Sequence, residues 1–195
     1  MKDKPVLFLS LRYLQDEMPE ALKNGIAKFQ CRRDKELENF LRERAFLFEE
    51  TGKSRTYFLL DEYPLCHGEV RILAYCAVAP QVMFVPPSMP VRQIQRLDGL
   101  SGKIHGRKVG ALPVYLIGQL AKNDDYANET TGHDVLLYVW EVFRQVHQAI
   151  GGRIVMVDVK SSADGLIRFY ENEHFRFISS NEETGLSQLI YMLND

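Results

Sequence analysis

The alternation of apolar and polar positions divides the chain into strands and helices that interleave. A short apolar run at 6–9 reads as a strand, broken by Ser10 and Arg12. After Cys31, apolar residues recur at Leu37, Phe40, Leu41 and Phe48 with Ala45 between them. This is one face of a helix, closed by Gly52. Residues 56–60 and 70–78 read as a pair of strands, with Cys66-His67-Gly68 as the turn between them. From 86 to 108 the pattern dissolves into a proline- and glycine-rich excursion, with a short helix expected at 93–97.

The second half is more regular. Residues 109–121 form the strongest strand signal. The longest helix runs from Gly132 to Ile150, with Val135, Val139, Phe143, Val146 and Ile150 along one side and Gly151-Gly152 stopping it. A continuous apolar run at 154–159 reads as a strand covered on both faces. A short helix at 164–173 and a closing strand at 189–193 follow. Alternating strands and helices predict an α/β fold, a mixed and mostly antiparallel sheet of about six to seven strands flanked by helices. No linker or repeat divides the chain, so 1–195 is expected to be one domain. No GxGxxG fingerprint follows a strand, which argues against a doubly wound nucleotide fold.

Composition changes this picture only at the edges. The apolar fraction of 46% and charged fraction of 26% suit a globular domain. A net charge of -2 gives no global pull toward nucleic acid or an anionic membrane. The excursion is locally basic, with Arg92, Arg96, Lys103, Arg107 and Lys108 against Asp98. It reads either as a solvated loop or as a substrate-facing one. No segment has the apolar length of a membrane span, and the expected location is the bacterial cytoplasm. Cys31, Cys66 and Cys76 are too few and scattered for a disulfide framework. Cys66-His67 lacks a second pair at ligand spacing, so no metal is expected.

The chemistry is carried by the strand that runs through Gly118-Gln119-Leu120-Ala121-Lys122, the polar loop after it, and the helix opening at Gly132. A strand leading through a loop to a helix N-terminus offers unpaired N–H groups and the positive end of a dipole, a place for a phosphate. Together with Phe29-Gln30-Cys31, Arg55-Thr56-Tyr57 and Phe169-Tyr170-Glu171-Asn172-Glu173-His174-Phe175, it resembles the GNAT superfamily of N-acetyltransferases, in the branch that includes bacterial acetyltransferase toxins. The resemblance covers nearly the whole chain in order and spacing.

What the resemblance implies is a sheet splayed at an acetyl-CoA site and acetyl transfer to a primary amine by direct attack. It places Leu120, Ala121 and Lys122 on the cofactor through backbone groups, one N–H facing the thioester oxygen. It implies cofactor contacts also from Asn128, Thr130, Thr131, Gly132, His133 and Ser162. Tyr170 falls on the family's acid, which protonates the departing thiolate. The bare pattern reads the same residue as a core aromatic beside Phe169. The general base stays open among Tyr115, Glu129 and a water. The family's loop, Arg/Gln-x-x-Gly-x-Gly/Ala, falls on 127–132 and retains only Gly132. The glycine expected before Phe175 is His174, and Ala163 stands where an asparagine is often found. The second reading is therefore a non-catalytic module that keeps the fold and binds an acyl-CoA or a protein partner. The acceptor is a small or macromolecular amine. A tRNA-borne amine is allowed but not favoured by the charge, and a homodimer is allowed.

Overall fold

The computed structural model describes residues 5–193. Their strands are β1 (Val6–Ser10), β2 (Arg55–Asp61), β3 (Ile72–Phe84), β4 (Lys103–Ile104), β5 (Arg107–Lys108), β6 (Ala111–Lys122), β7 (Ile154–Lys160), β8 (Arg176–Asn181) and β9 (Leu186–Met192). Seven of these join one sheet in the order β1-β2-β3-β6-β7-β9-β8, while β4 and β5 make a separate hairpin. β6 and β7 pair in parallel at Tyr115 with Val155 and Leu116 with Met156. β1–β2, β2–β3, β7–β9 and β8–β9 are antiparallel. The expected mixed, mostly antiparallel α/β sheet is the observed one.

The residues gather into two compact units. The first contains the N-terminal part of the chain through Ala79 together with Gly118–Val142, and the second contains Pro80–Ile117 together with the chain from Phe143 onward. In the first unit, helices α1 (Leu11–Glu17) and α2 (Pro19–Lys28) follow β1. Ser10 ends the strand and caps α1 by accepting a hydrogen bond from the Tyr13 N–H at 3.2 Å, and Pro19 opens α2. Leu11, Leu14, Leu22 and Ile26 bury one side of both helices in a core with Phe29, Phe40, Leu41, Phe58 and Tyr75.

The helix expected after Cys31 is α3 (Lys35–Asn39), a π-helical turn at Phe40–Arg44, and α4 (Ala45–Glu50). Glu38 on α3 is buried. It accepts hydrogen bonds from the Cys31 N–H at 3.0 Å and from Lys35 at 2.9 Å, and pairs with Arg42 at 2.5 Å. These contacts, the Cys31 N–H foremost, hold its carboxyl below the usual range. The chain before Cys66-His67-Gly68 is a short helix, α5 (Glu62–Cys66), capped by Asp61, so the turn is narrower than the sequence suggests. β3 starts at Ile72 and runs on to Phe84, past the expected end at 78. Its later residues are mostly exposed, so the buried apolar signal fades while the strand continues.

In the second unit, α6 (Val91–Asp98) occupies the excursion and buries Ile94 and Leu97 against Met83, Met89, Leu112 and Ile154. The long helix α7 (Gly132–Ile150), whose residues divide between the two units, has the bounds that its periodicity predicts. α8 (Asp164–Asn172) leads into β8, a strand without a sequence expectation. β8 is largely exposed and polar, so no apolar alternation marks it. No helix among the described residues is long and apolar enough to cross a membrane.

Candidate functional site

In the first unit, β6 ends at Lys122 and Asn123 begins the loop. Asn123 is buried, and each of its polar groups is used. Its backbone N–H donates to the Leu73 carbonyl at 2.8 Å and its side-chain amide to the Ile72 carbonyl at 2.9 Å. Its side-chain oxygen accepts from the N–H of Gln30 at 3.3 Å and of Asp125 at 3.2 Å. The end of the strand is thereby fixed to β3 and to the Phe29-Gln30 segment.

The loop is held at two further points. The Lys122 ammonium donates to the carbonyls of Ala127, at 3.1 Å, and Thr130, at 2.9 Å. Arg71 pairs with Asp61 at 2.7 Å and with Glu129, and lies over the Tyr126 ring at 4.0 Å. Glu129 is thus paired with a guanidinium instead of presenting an isolated negative charge to the loop. Thr130 is buried and Asn128 exposed.

The start of α7 is a reciprocal cap. The Thr131 hydroxyl oxygen accepts from the Asp134 N–H at 3.1 Å, while Asp134 accepts from the Thr131 N–H and hydroxyl, both at 2.7 Å. The Thr131 hydroxyl is the main reason that the Asp134 carboxyl lies below its ordinary range, helped by the Thr131 N–H and the Lys122 ammonium. The N–H groups of Gly132 and His133 fall in the first turn, where no intrahelical carbonyl reaches. Lys122, Thr130, Thr131, Gly132 and His133 are therefore brought together around one helix N-terminus. Leu120 packs with Leu59, Ala74 and Val135, and Ala121 is buried in the core of this unit.

In the second unit, Ser162 is exposed in the turn between β7 and α8. Tyr170 is buried near the end of α8, edge-on to Phe169 and Phe175 with ring centroids 5.1 Å away in each case. Its ring is a packing element there, as the bare pattern suggests. Tyr115 is buried, stacked on Phe143 at 5.4 Å, and donates its hydroxyl to the Gly151 carbonyl. Burial pushes its phenol up, so Tyr115 is a poor proton acceptor at neutral pH. Glu129, engaged by Arg71, is likewise committed. Of the three bases considered from the sequence, the water is the one these contacts leave open.

The sequence did not point to Arg71, Asp61 or Asn123 as parts of this site. Arg71 meets Glu129 across 58 positions, a separation that no spacing rule addresses. For Asn123 a local signal exists, since Asn-Asp-Asp after a strand is an Asx-type cap.

The chain matches no protein-family model and no curated protein. Solved structures are similar to it along nearly its whole length. A bacterial toxin is 17% identical with a TM-score of 0.70, covering 97% of this chain and 91% of that one. AtaT complexed with acetyl-methionyl-tRNAfMet is 17% identical with a TM-score of 0.70, covering 96% and 95%. A tyrosine-to-phenylalanine mutant of KacT is 17% identical with a TM-score of 0.68, covering 96% and 94%. At this identity the likeness establishes the fold alone, the GNAT fold expected from the sequence.

Proposed function

We propose, from the GNAT fold shared with AtaT and KacT, that this chain is an acetyl-CoA-dependent N-acetyltransferase acting on a primary amine. The observation that carries the reading is the passage from β6 into α7. There the loop that departs most from the family pattern is held by Lys122 and its acidic residue is paired with Arg71. The Lys122 ammonium and the positive end of the α7 dipole together suit a diphosphate. AtaT bound to acetyl-CoA in its complex with AtaR supports the choice of donor.

Acetyl-CoA supplies an activated acyl group as a thioester. The residues of this chain do the rest. Backbone groups of Leu120, Ala121 and Lys122 hold the pantetheine arm, and an N–H there stabilises charge on the carbonyl oxygen as the amine attacks. Thr130, Thr131, Gly132 and His133 hold the phosphates, and Asn128 and Ser162 are further candidates for that role. A C–N bond forms and the C–S bond breaks; the Tyr170 phenol gives its proton to the thiolate, and the proton that the nitrogen sheds as the amide forms leaves through water and restores the phenol. The ammonium proton of the acceptor leaves to a water before attack.

Among amines, one carried by an aminoacyl-tRNA is the first to assay, because AtaT has been solved with acetyl-methionyl-tRNAfMet. Calorimetric titration with acetyl-CoA and with CoA tests the reading. Binding in the micromolar range is expected, and no heat at millimolar cofactor would overturn it. The second reading, a module that binds acyl-CoA or a protein partner without turnover, is favoured by the buried Thr130 at a position where the family has glycine. Cofactor binding without CoA release across a panel of amines would select it.

A further inference from the structure

The second unit holds a cleft of about 800 Å³, lined by none of the residues assigned above to acetyl-CoA. Arg92 and Arg96 face it from α6, Arg153 from the residue before β7, and His174 and Arg176 from the end of α8 and the start of β8. Among the described residues no acidic side chain lines it. Among the described residues none of these four guanidinium groups is ion-paired. Four like charges converging on one cavity repel one another, and a multiply charged anion relieves that repulsion.

Two backbone features adjoin these exposed charges. Gly99, in a left-handed conformation at the end of α6, leaves room for the Arg153 guanidinium. A Cβ there would stand 2.8 Å from the Arg153 Cζ. His174 also has a left-handed backbone, with φ of 67°, in the turn closed by the Phe175 N–H donating to the Tyr170 carbonyl at 2.9 Å. Glycine fills such a turn without strain, so the imidazole is kept on the cleft wall against a steric cost. Phe177 adds a ring that is 52% exposed, and Leu97 and Ile190 add apolar surface.

We propose that this cleft binds a nucleoside polyphosphate. Guanidinium forks match phosphate oxygens in pairs, and an exposed ring offers a surface on which a base can stack. The volume lies within the ordinary range for a small-molecule site. A single-stranded nucleic acid would need its charges set along a track, whereas these surround one cavity. Within the second unit the cleft lies at the opposite end of β7 from Ser162. Arg153 precedes β7 and Ser162 follows it, and a seven-residue strand separates its two ends by roughly 23 Å. The proposal does not depend on the acetyl-transfer reading.

Titrating the full chain with ATP by calorimetry tests it. One ATP per chain is expected, with affinity falling about tenfold in Arg153→Ala and in Arg176→Ala, as the loss of a charged hydrogen bond predicts. His174→Gly should also weaken ATP binding while keeping or raising the melting temperature, which separates ligand contact from folding. Acetyl-CoA affinity in the same variants should stay within about twofold, since none of the three residues is assigned to the cofactor. No binding at millimolar ATP would overturn the proposal. So would tripolyphosphate binding as tightly as ATP, which would mean that charge alone is recognised. Oligonucleotide affinity that rises with length would show a strand track instead. Loss of acetyl-CoA binding in the arginine variants would assign the cleft to the cofactor.

Discussion

Arg71 shows how one side chain can reset the electrostatics of a loop. It joins Asp61 on β2 to Glu129 while lying over Tyr126. Arg71→Ala would leave two carboxylates facing each other without a counter-charge. The expected loss is about 2 kcal/mol, below the full cost of breaking a buried pair because the group is partly exposed. Urea denaturation measures that loss, and titration should show weaker acetyl-CoA binding as the loop loosens. At Tyr170 the prediction separates packing from chemistry. Tyr170→Phe keeps the ring between Phe169 and Phe175 and removes only the hydroxyl. Turnover should fall by about 100-fold with little change in acetyl-CoA affinity. An unchanged rate would return Tyr170 to a purely structural role. Neither residue's full part was legible in the sequence. Tyr170 reads as a core aromatic or an acid according to context, and Arg71 acquires its partners only through the fold.

At the scale of elements, the start of α7 couples a cap to a titration. Thr131→Ala removes the hydroxyl that accepts from the Asp134 N–H, at a cost of about 1 kcal/mol. Asp134 has a lower carboxyl pKa in the folded state than in the unfolded one. Its contribution to stability is therefore present above the unfolded value near about 3.9 and is lost as pH falls through the folded value. The wild type should lose stability on acidification below about pH 5 more steeply than Thr131→Ala, as chemical denaturation at a series of pH values would reveal. The packing of α2 makes a second prediction. A Cβ on Gly25 would stand 2.5 Å from the Val70 carbonyl oxygen, a backbone atom that cannot rotate away. Gly25→Ala should cost about 2 kcal/mol of stability, despite the better helix propensity of alanine. The legible elements were those whose buried face repeats over many residues, such as α7 and β7. The two helices after β1 were not anticipated because Met18-Pro19 cuts their pattern into pieces too short to stand out. β8 was missed because it is exposed and paired along β9 without an apolar face of its own.

At the scale of the whole molecule, β3, β6 and α7 each contribute residues to both compact units. Neither unit is a continuous piece of chain. Unfolding is therefore expected to be a single cooperative transition. Trp140, the single tryptophan, sits on α7 within the first unit and reports on it by fluorescence. Far-UV circular dichroism reports on both units. The two urea transitions should coincide, and separated midpoints would show that the units unfold independently.

The sequence by itself determined the α/β class, the bounds of α7 and the strand-loop-helix passage at Lys122 to Gly132. Periodicity and local capping depend on near neighbours, and those are written in the chain order. Only the tertiary structure decided that Lys122 braces the loop, that Arg71 pairs with Glu129, that Tyr115 donates to Gly151, and that four arginines from α6, the residue before β7 and β8 share one cleft. Those contacts join residues far apart in sequence, where no local propensity constrains the partner and packing alone sets which charges meet.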